Sequence, residues 1–597
     1  MAKPQSTRRR KAQRRVVVLL VLCCAVFALF LARLAWLQFA MADHYAQKLA
    51  EASSASYTIT QHAARGAITD RSGTVLARDE TVYDVYLRVP APPGTDLRET
   101  VNTISALTGG KDVETQLAAF CLAVSAGELP AAQGLDSTAA AAYYRAGLVQ
   151  SGAVRLAARG VRRWPDGTIL PHTLGFTGPI TAEQWPAARA QGLAMDATIG
   201  QNGLEAAYDT LLRGRDGQLQ INVGLDGVTR DAVQTSAPVP GCTLVLTLDA
   251  DLQKTLQTAL QNQMDTLRTT KGIGAGREVR AGAAVVVDVR TGGILAAASL
   301  PDFDLSRYRS DYAALSADSA APLLDRVCQG LYAPGSAFKP AVAAAALTAD
   351  IDPAATVNCT GKYFYYSNYH PGCLQYGHRG PVDLRTALEY SCNIFFYDTG
   401  RRLGVDTFSA MARQLGLAND TGVEITAAQG RLTWSTDTNY QDGLTLMAAI
   451  GQGNTAVTPL QLAQYAAALA NYGRKPTLHF ADRAVQPATG AAVWQYEPAF
   501  TEIPGGEAVF GPIRDGMKRM AQTARALREA PVTVAAKTGS PQLADTLPGG
   551  SHYVNSVLIG YAPADDPQIA MAVVLEYGGG GANGAPVMRA VLDAWFE

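Results

Sequence analysis

The hydrophobic residues of this chain are concentrated first in one long run near its start. Residues 16–32 carry no charge, and residues 34–37 continue the apolar run beyond Arg33. A helix needs about 20 apolar residues to cross a bilayer, and an arginine at its end can reach back to the interface. We therefore predict a membrane anchor over residues 16–37. A cleaved signal peptide and a buried core helix are the alternatives, but no A-x-A site directly follows the run.

The charges around this run predict its orientation. Residues 1–15 hold seven Lys or Arg and no acid, which predicts a cytoplasmic basic arm and an extracytoplasmic bulk. No second run approaches the same length, so we expect a single-pass membrane protein. The net charge is only −1 (51 basic against 52 acidic residues), and seven tail charges are too few to indicate nucleic-acid binding. With 48% hydrophobic and 17% charged residues, a disordered chain is excluded.

Residues 45–240 mix short strand-like runs with helical stretches. The segment 65–73 followed by 74–77 predicts a strand, a turn rich in Asp and Gly, and a second strand. Alanine-rich stretches between 115 and 150 predict helices, as does the segment 203–212. No catalytic constellation stands out here. We predict a non-catalytic pedestal domain over 45–240.

Residues 241–597 have a different pattern, in which strands flank a helical middle. Strands are predicted over 244–249, 283–289, 294–299, 531–536, 553–561 and 568–577, and helices beyond 252 and over 341–349 and 587–596. Strands gathered at both ends of a domain are typical of α+β folds. We expect an antiparallel five-stranded sheet flanked by helices, next to the pedestal and one transmembrane helix.

The first candidate for chemistry precedes the helix at 341–349. Ser336 and Lys339 are three residues apart, and Pro340 favours a helix start nearby, so the two side chains share a face. The helix is apolar nearly all round and should be buried, which lowers the pKa of Lys339 and lets a neutral amine accept a hydroxyl proton. An isolated S-x-x-K can also be a capping serine beside a snorkelling lysine.

Two further motifs make the catalytic interpretation the stronger one. Ser391-Cys392-Asn393 supplies a hydroxyl and an amide, and Lys537-Thr538-Gly539-Ser540 ends a β-branched run with a cation and a hydroxyl that could hold a carboxylate. Each pattern occurs once, in the order S-x-x-K, S-x-N, K-T-G. Single short matches are weak, whereas the ordered triplet is specific.

With these motifs the chain resembles the class B penicillin-binding proteins, within the superfamily of serine β-lactamases and penicillin-binding proteins. The resemblance extends to residues 65–77, 203–205, 212–214, 246–249, 332–340, 391–396, 451–453 and 458–459, and so covers nearly all of the chain after residue 40. It implies a transpeptidase domain over 241–597 that is carried by the anchor and pedestal and cross-links peptidoglycan stem peptides.

By this resemblance each motif residue has an expected role. Ser336 is the acylated nucleophile and Lys339 its general base, while Ser391 relays a proton to the leaving amine. Asn393 binds the substrate backbone, Lys537 tunes the electrostatics, and Thr538 receives the terminal carboxylate. Gly539 leaves room for backbone approach, and the backbone N–H groups of Ser336 and Ser540 form the oxyanion hole.

The resemblance also implies the ligands and partners. β-Lactams would trap the acyl-enzyme, and no cofactor is expected. The anchor at 16–37 would bind the bilayer of the bacterial cell membrane. A multi-spanning glycan polymerase of the shape, elongation, division and sporulation group would contact the anchor and pedestal.

Two enzymatic and two non-enzymatic functions compete with the transpeptidase. A β-lactamase or a D,D-carboxypeptidase would use water as the acceptor, and a penicillin sensor or wall-synthesis scaffold would not turn over peptide. Family members often have threonine at the place of Ser540. Glu424 is not assigned a deacylating role, and Ala428 stands where a similar family segment has glutamate, which weakens the hydrolase interpretation.

Four residues between the first two motifs could bind a metal: Cys359, His370, Cys373 and His378. Their spacing is irregular for a zinc ribbon, so we predict no metal. A Cys359–Cys373 disulfide and separate thiols are the alternatives outside the membrane. Cys392 is expected to be a small packed apolar residue.

Overall fold

A computed structural model describes the chain except for residues 1–5, 52, 90, 93, 110–111, 124–126, 196, 225–228, 271, 374–377 and 549. Contacts divide it into two units, residues 1–63 with 215–239, and residues 64–214 with 240–597. The elements up to residue 240 are α1 (Ser6–Ala35), α2 (Ala42–Glu51), β1 (Ser53–Gln61), β2 (Ile68–Thr69), β3 (Val75–Val89), α3 (Leu97–Leu107), α4 (Val113–Ala123), β4 (Gly127–Leu135), α5 (Ser137–Arg145), β5 (Val154–Arg163), α6 (Pro171–Leu174), β6 (Thr177–Pro179), α7 (Trp185–Ala190), β7 (Thr198–Gly200), α8 (Gly203–Ala207), α9 (Asp209–Arg213), β8 (Gly217–Gly224) and β9 (Thr229–Ser236).

The elements beyond residue 240 alternate between strands and helices. They are β10 (Thr243–Leu246), α10 (Ala250–Arg268), β11 (Gly282–Asp288), β12 (Ile294–Leu300), α11 (Tyr308–Ala317), α12 (Lys339–Thr348), β13 (Val357–Cys359), β14 (Gly380–Val382), α13 (Leu384–Glu389), α14 (Asn393–Leu403), α15 (Val405–Gln414), α16 (Asp442–Ala449), α17 (Pro459–Ala470), β15 (Arg474–Pro476), β16 (Ala481–Val485), β17 (Ala492–Gln495), β18 (Phe500–Glu502), α18 (Gly506–Thr523), α19 (Arg525–Arg528), β19 (Ala535–Gly539), β20 (Gln542–Thr546), β21 (His552–Val554), β22 (Ser556–Ala562), β23 (Ile569–Leu575) and α20 (Ala585–Phe596).

The first unit contains the apolar helix and a small sheet. A π-helical segment, Trp36–Ala40, follows α1. Within the described residues one helical stretch, Ala12–Ala40, is long and apolar enough to cross a membrane, and its side chains are exposed. In the same unit, β1, β8 and β9 pair antiparallel.

The second unit contains a five-stranded sheet in the order β12-β11-β23-β22-β19, with every pair antiparallel. Residues of β11 alternate between two hydrophobic cores: Val285 and Val287 pack with α12 and α17, whereas Ala284 and Val286 pack with α10 and α20. Both faces of the sheet are therefore covered by helices, which explains why β11 is apolar throughout rather than alternating. The predicted α+β fold with a five-stranded antiparallel sheet is confirmed.

A seven-stranded sheet connects distant parts of the second unit. Its order is β17-β16-β10-β2-β3-β4, with β5 also paired to β3. A third core lies on this sheet, where Val85 and Leu87 of β3 pack against Val101 and Ile104 of α3. The predicted domain boundary at residue 240 stays a prediction.

Two element predictions are wrong in detail. The helical stretch expected over 115–150 is interrupted by β4, which pairs with β3 in register from Tyr83↔Leu135 to Val89↔Gly127. The strand expected over 531–536 begins only at Ala535, so that the K-T-G residues lie within β19 rather than after it. In both places tertiary pairing overrides the local composition.

Candidate functional site

The site begins with a tight turn before α12. Ser336 lies in the 3-10 turn Gly335–Phe338, which runs directly into α12, so Ser336 and Lys339 are one helical turn apart, as expected. Gly335 has φ +54°, and its N–H donates to the Gly451 carbonyl at 2.9 Å. A Cβ on Gly451 would lie 2.2 Å from the Gly335 carbonyl oxygen, so this approach requires a glycine at residue 451. The half-buried Ser336 is thus held between α12 and the Gly451 loop.

Lys339 is fully buried and points its amine at the second motif. Its Nζ donates to the Ser391 carbonyl at 2.8 Å, and to Asn393 Oδ1 at 2.7 Å, and lies 3.1 Å from Ser391 Oγ. Ser391 itself has φ +56°, a left-handed conformation that non-glycine residues rarely adopt and that is common at functional sites. The turn between α13 and α14 therefore presents a hydroxyl, a carbonyl and an amide to one buried amine.

The third motif completes the arrangement from β19, the last strand of the sheet. Lys537 Nζ donates to Ser391 Oγ at 3.1 Å and to the Thr538 carbonyl at 3.0 Å. The Ser391 hydroxyl is thus within hydrogen-bonding distance of two buried amines, at 3.1 Å from each. The structure brings Lys339, Ser391, Asn393 and Lys537 into one hydrogen-bonded group.

The remaining residues of the third motif have separate environments. Thr538 is half-buried, with Oγ1 4.0 Å from Met520 Sδ. A Cβ on Gly539 would lie 2.2 Å from the Pro334 carbonyl oxygen, so the glycine is required by the approach of the chain's own backbone beside Ser336. Ser540 is exposed, and its Oγ accepts a hydrogen bond from the Gly581 N–H at 2.9 Å.

Burial sets the protonation of the two amines. Burial lowers the pKa of Lys339 to about 7. Burial, together with the nearby charge of Lys339, lowers the pKa of Lys537 well below its usual value. Within the described residues, no carboxylate accepts a hydrogen bond from either amine. Near neutral pH the site therefore contains an amine able to accept a proton from a neighbouring hydroxyl.

The carboxylate of Glu424 accepts hydrogen bonds from residues outside the three motifs. Its carboxylate accepts hydrogen bonds from the Tyr208 hydroxyl at 3.0 Å and from the backbone N–H groups of Phe480 and Ala481, at 3.0 Å and 2.9 Å. A carboxylate held by three donors in this way fixes the chain between α8 and β16. The contacts of Glu424 are thus those of a structural residue.

A second group of reactive side chains adjoins the site. Cys359, Cys373, His378 and Cys392 are buried, and their Sγ and nitrogen atoms all lie within 4.8 Å of one another. His378 Nε2 is 3.6 Å from both Cys359 Sγ and Cys373 Sγ. Tetrahedral zinc with typical Zn–S and Zn–N bonds would separate such atoms by about 3.6 Å. Three thiols and an imidazole therefore fit zinc, and we call these four residues the thiol cluster.

The fold corrects the expected membership of this cluster. Cys392 belongs to it, rather than being only a packed apolar residue, and His370 does not, since His370 is exposed and packs against Phe364 at 4.9 Å between ring centroids. No disulfide joins Cys359 to Cys373. The Asn393 N–H donates to Cys373 Sγ at 3.4 Å, so the cluster contacts the S-x-N motif directly.

Two glycines that contact the site residues were not predicted from the sequence. Gly451 belongs to a segment noted only for its resemblance, and Gly581 to a glycine-rich loop that carries no side-chain chemistry. Cys392 could have been found from the sequence, because it sits between two motif residues and follows two other cysteines in the same region.

The chain belongs to the penicillin-binding protein family. Residues 282–593, more than half of the chain, match the penicillin-binding protein transpeptidase domain, and residues 60–246 match the penicillin-binding protein dimerisation domain. The family membership expected from the three motifs is confirmed.

Curated relatives narrow the class further. The chain is 29% identical over 561 residues to the peptidoglycan D,D-transpeptidase MrdA of Acinetobacter baumannii, covering 89% of this chain and 80% of that protein. It is 27% identical over 577 residues to MrdA of Escherichia coli K12, covering 89% and 86%.

Solved structures agree with the fold. The chain superposes with a TM-score of 0.74 and 23% identity on the penicillin-binding protein PBP2 of Helicobacter pylori in complex with MreC, covering 91% of this chain and 99% of that one. A chain from a structure entitled "Structural coordination of polymerization and crosslinking by a peptidoglycan synthase complex" gives a TM-score of 0.72 and 29% identity, covering 98% of both chains.

Proposed function

We propose that this protein is a membrane-anchored peptidoglycan D,D-transpeptidase that works through an acyl-enzyme on Ser336. The observation that carries the proposal is the hydrogen-bonded group of Lys339, Ser391 and Lys537, beside the turn that holds Ser336. Membership of the penicillin-binding protein family supports it. The named activity of the MrdA relatives supports the substrate, stem peptides ending in D-Ala-D-Ala.

The first half-reaction forms the acyl-enzyme. Ser336 Oγ attacks the carbonyl carbon of the penultimate D-Ala, and neutral Lys339 accepts the hydroxyl proton. The carbonyl oxygen, which becomes an anion, accepts hydrogen bonds from the backbone N–H groups of Ser336 and Ser540; such donors contribute about 2.7–4 kcal/mol each. When the C–N bond breaks, the Ser391 hydroxyl passes a proton to the departing D-Ala amine and is reprotonated from its neighbouring amines.

The second half-reaction transfers the acyl group. An amine of a neighbouring stem peptide attacks the Ser336 ester carbonyl, loses its proton through the same lysine and hydroxyl, and releases the serine. The donor peptide would lie along the free edge of β19, where Thr538 receives its carboxylate and Lys537 adds positive charge. Asn393 would bind the peptide backbone opposite.

The anchor and pedestal define where this reaction occurs. The helical stretch Ala12–Ala40 would cross the membrane once, with the basic arm in the cytoplasm and the remainder outside. Two structural neighbours are described as a complex with MreC and as a peptidoglycan synthase complex. The second of these, at 29% identity, supports a glycan polymerase as the partner of this chain, and we assign that contact to the anchor and pedestal.

The thiol cluster would hold a structural zinc ion. Cys359, Cys373, His378 and Cys392 supply four ligands, which closes the coordination sphere, so the ion would stabilise the fold near Asn393 rather than act on substrate. We expect about one zinc per purified chain by elemental analysis. After dialysis against a chelator, Cys392→Ser protein should retain less zinc than wild type because one of four ligands is lost, whereas the same change at the exposed Cys121 should leave the zinc content unchanged. Equal zinc contents in both variants would contradict this assignment.

The acyl-enzyme is tested by intact mass of the full chain in detergent after mixing with a penicillin. Wild type should gain a long-lived adduct, Ser336→Ala should gain none, and Ser316→Ala, at an exposed serine of α11, should behave as wild type. An adduct on Ser336→Ala would overturn the assignment of the nucleophile. Rapid loss of the adduct with consumption of drug would indicate a β-lactamase, and acylation without cross-linking of lipid-linked glycan peptides would indicate a sensor.

A further inference from the structure

A hairpin-like loop projects from the thiol cluster beside the site. It begins after Cys359 and ends at Cys373, so both of its ends lie at the cluster. Its base is closed by backbone hydrogen bonds from the Tyr363 N–H to the Pro371 carbonyl at 3.0 Å and from the Cys373 N–H to the Gly361 carbonyl at 2.9 Å. Residues 364–370, which we call the aromatic tip, form the far end of this loop.

The aromatic tip exposes large rings to solvent. Phe364 is 64% exposed, Tyr365 58% and Tyr369 37%. The rings are held in place: the Arg401 guanidinium stacks over Tyr365 at 3.9 Å, and Phe364 packs against His370 at 4.9 Å. Contiguous exposed aromatic surface of this kind marks a binding site more often than a chance surface. Ordered rings also bind with little further loss of conformational entropy.

Two contacts attach this loop to the catalytic group. The Asn393 side-chain amide donates to the Gly372 carbonyl at 3.2 Å, while Asn393 Oδ1 accepts from Lys339. On the other side, the Tyr369 hydroxyl lies 3.1 Å from Met447 Sδ in α16, just ahead of Gly451, whose carbonyl accepts from Gly335 beside the nucleophile. The tip is therefore continuous with the site at both the Asn393 and the Gly451 sides.

The chemistry of the tip fits a sugar chain. Its sequence, F-Y-Y-S-N-Y-H, contains rings and hydrogen-bonding groups and no aliphatic side chain. Pyranose rings present C–H faces that stack on aromatic rings and hydroxyl rims that hydrogen-bond to phenol, amide and imidazole groups. The exposed Lys362 adds a positive charge at the base of this loop, whereas the charge of Arg401 is paired with Asp398 at 3.2 Å.

We propose that the aromatic tip binds the N-acetylated amino-sugar strand that carries the acceptor stem peptide. This inference rests on the proposed transpeptidase function. With the donor peptide along β19, the acceptor must approach from another side of the site, and the loop that carries the aromatic tip contacts Asn393 through the Gly372 carbonyl at 3.2 Å. A glycan strand stacked on Phe364 and Tyr365 would deliver its peptide amine towards Ser336.

The test compares the full-length double variant Phe364→Ala/Tyr365→Ala with Tyr144→Ala, which removes a similarly exposed ring from α5 of the pedestal. The probe is soluble peptidoglycan glycan strands stripped of their stem peptides, with each protein in detergent. Loss of two stacking rings should weaken binding about tenfold in the double variant. Tyr144→Ala should bind as wild type, and Phe364→Tyr/Tyr365→Phe, which keeps both rings, should restore most of the affinity.

Acylation by a penicillin is measured on the same samples, because penicillin contains no sugar and reports Ser336 alone. Acylation of every variant with weakened strand binding only in the double alanine variant would support the proposal. Equal strand binding by all variants would overturn it, as would equal loss in the Tyr144→Ala protein. Loss of a co-purifying protein with unchanged strand binding would identify the tip as a protein interface and overturn it too. Failure of wild type to acylate would instead count against the transpeptidase function and leave the strand measurement standing.

Discussion

Two buried groups of charged residues in the same unit show how differently a fold can treat a cation. In the pedestal, Glu205 is 0% exposed and accepts hydrogen bonds from Arg65 and Arg162, each at 2.6 Å. In the site, Lys339 is also 0% exposed, yet its acceptors are a carbonyl, an amide and a hydroxyl. Burial alone would lower the pKa in both places. The charges of Glu205 and Asp209 reverse this effect for Arg65 and raise its pKa, whereas the pKa of Lys339 falls to about 7.

A carboxylate partner decides whether a buried cation stabilises the fold or is able to accept a proton. A buried cation with a carboxylate partner keeps its charge. In the pedestal such pairs connect β3, β5 and α8, and Arg162 also donates a hydrogen bond to the Gly66 carbonyl at 2.8 Å. A buried amine without such a partner loses its proton near neutral pH and becomes a base. Changing one residue in each group should therefore affect different properties of the protein.

The largest expected effect is that of Lys339→Met on acylation. The side chain keeps its volume but loses the base, so the rate of acylation by a penicillin should fall by about 10²–10⁴-fold. The free energy of unfolding should not fall by more than about 1 kcal/mol. The loss of the hydrogen bonds is offset because an amine no longer has to be desolvated in the core. Stopped-flow acylation and urea unfolding measure the two properties. A variant that acylates at the wild-type rate would remove Lys339 from the mechanism.

Glu205→Gln should show the opposite behaviour. It leaves two buried guanidinium groups sharing a neutral partner, and breaking such a pair costs about 3–5 kcal/mol. Glu80→Gln is the matched control, since Glu80 pairs with Arg78 at the surface, where exposed pairs contribute about 0–1 kcal/mol. Folded Glu205→Gln protein should acylate at the wild-type rate. If stability were unchanged, the comparison between the two groups would not hold.

The pH dependence of acylation sharpens the comparison. Since Lys339 acts as a base only when neutral, the rate should rise about tenfold per pH unit below 7 and level off above it. The same shift affects stability with a defined sign. The pKa of Lys339 is about 7 in the folded protein and 10.5 when unperturbed, so the unfolded chain binds more protons between these two pH values. The free energy of unfolding therefore falls as pH falls from 10.5 to 7, and this contribution is constant below 7. Lys339→Met should remove the contribution of Lys339 to this dependence and leave that of Lys537, whose pKa is also lowered by burial. A flat rate profile of the wild type between pH 6 and 8 would contradict the role of Lys339.

The residues of the proposed site could be picked out in the sequence because their patterns are local. Ser336 and Lys339 share one helical turn, and the S-x-N and K-T-G patterns are recognisable without knowledge of the fold. The sheet could be predicted from its apolar runs, apart from the start of β19, where Val532, Thr533 and Val534 look like a strand but precede it. The register that places Lys537 opposite Ile559 depends on pairing with β22, which short-range patterns do not encode.

Three members of the thiol cluster, Cys359, Cys373 and His378, are candidates in the sequence, whereas the complete cluster and the Arg–Glu group depend on packing between elements. Cys392 joins Cys359 and Cys373 only because α13 and α14 bring the S-x-N turn back to β13, across more than thirty residues of chain. Glu205 meets Arg65 across 140 positions, and both residues look like ordinary surface charges in the sequence. Spacing predicts neighbours along one helix or strand, whereas these groups are assembled between elements.

The smallest expected effect concerns Ser540, where the family often has threonine. Its hydroxyl accepts a hydrogen bond from the Gly581 N–H at 2.9 Å and so connects the end of β19, which carries the proposed oxyanion N–H of Ser540, to the loop before α20. Ser540→Ala removes a neutral hydrogen bond, which costs about 0.5–1.5 kcal/mol. It should slow acylation only a few-fold, because the backbone N–H of Ser540 would be held less rigidly. Ser540→Thr retains the oxygen and should acylate as wild type. If alanine and threonine were equally slow, the side-chain shape at Ser540 rather than its hydrogen bond would position the strand.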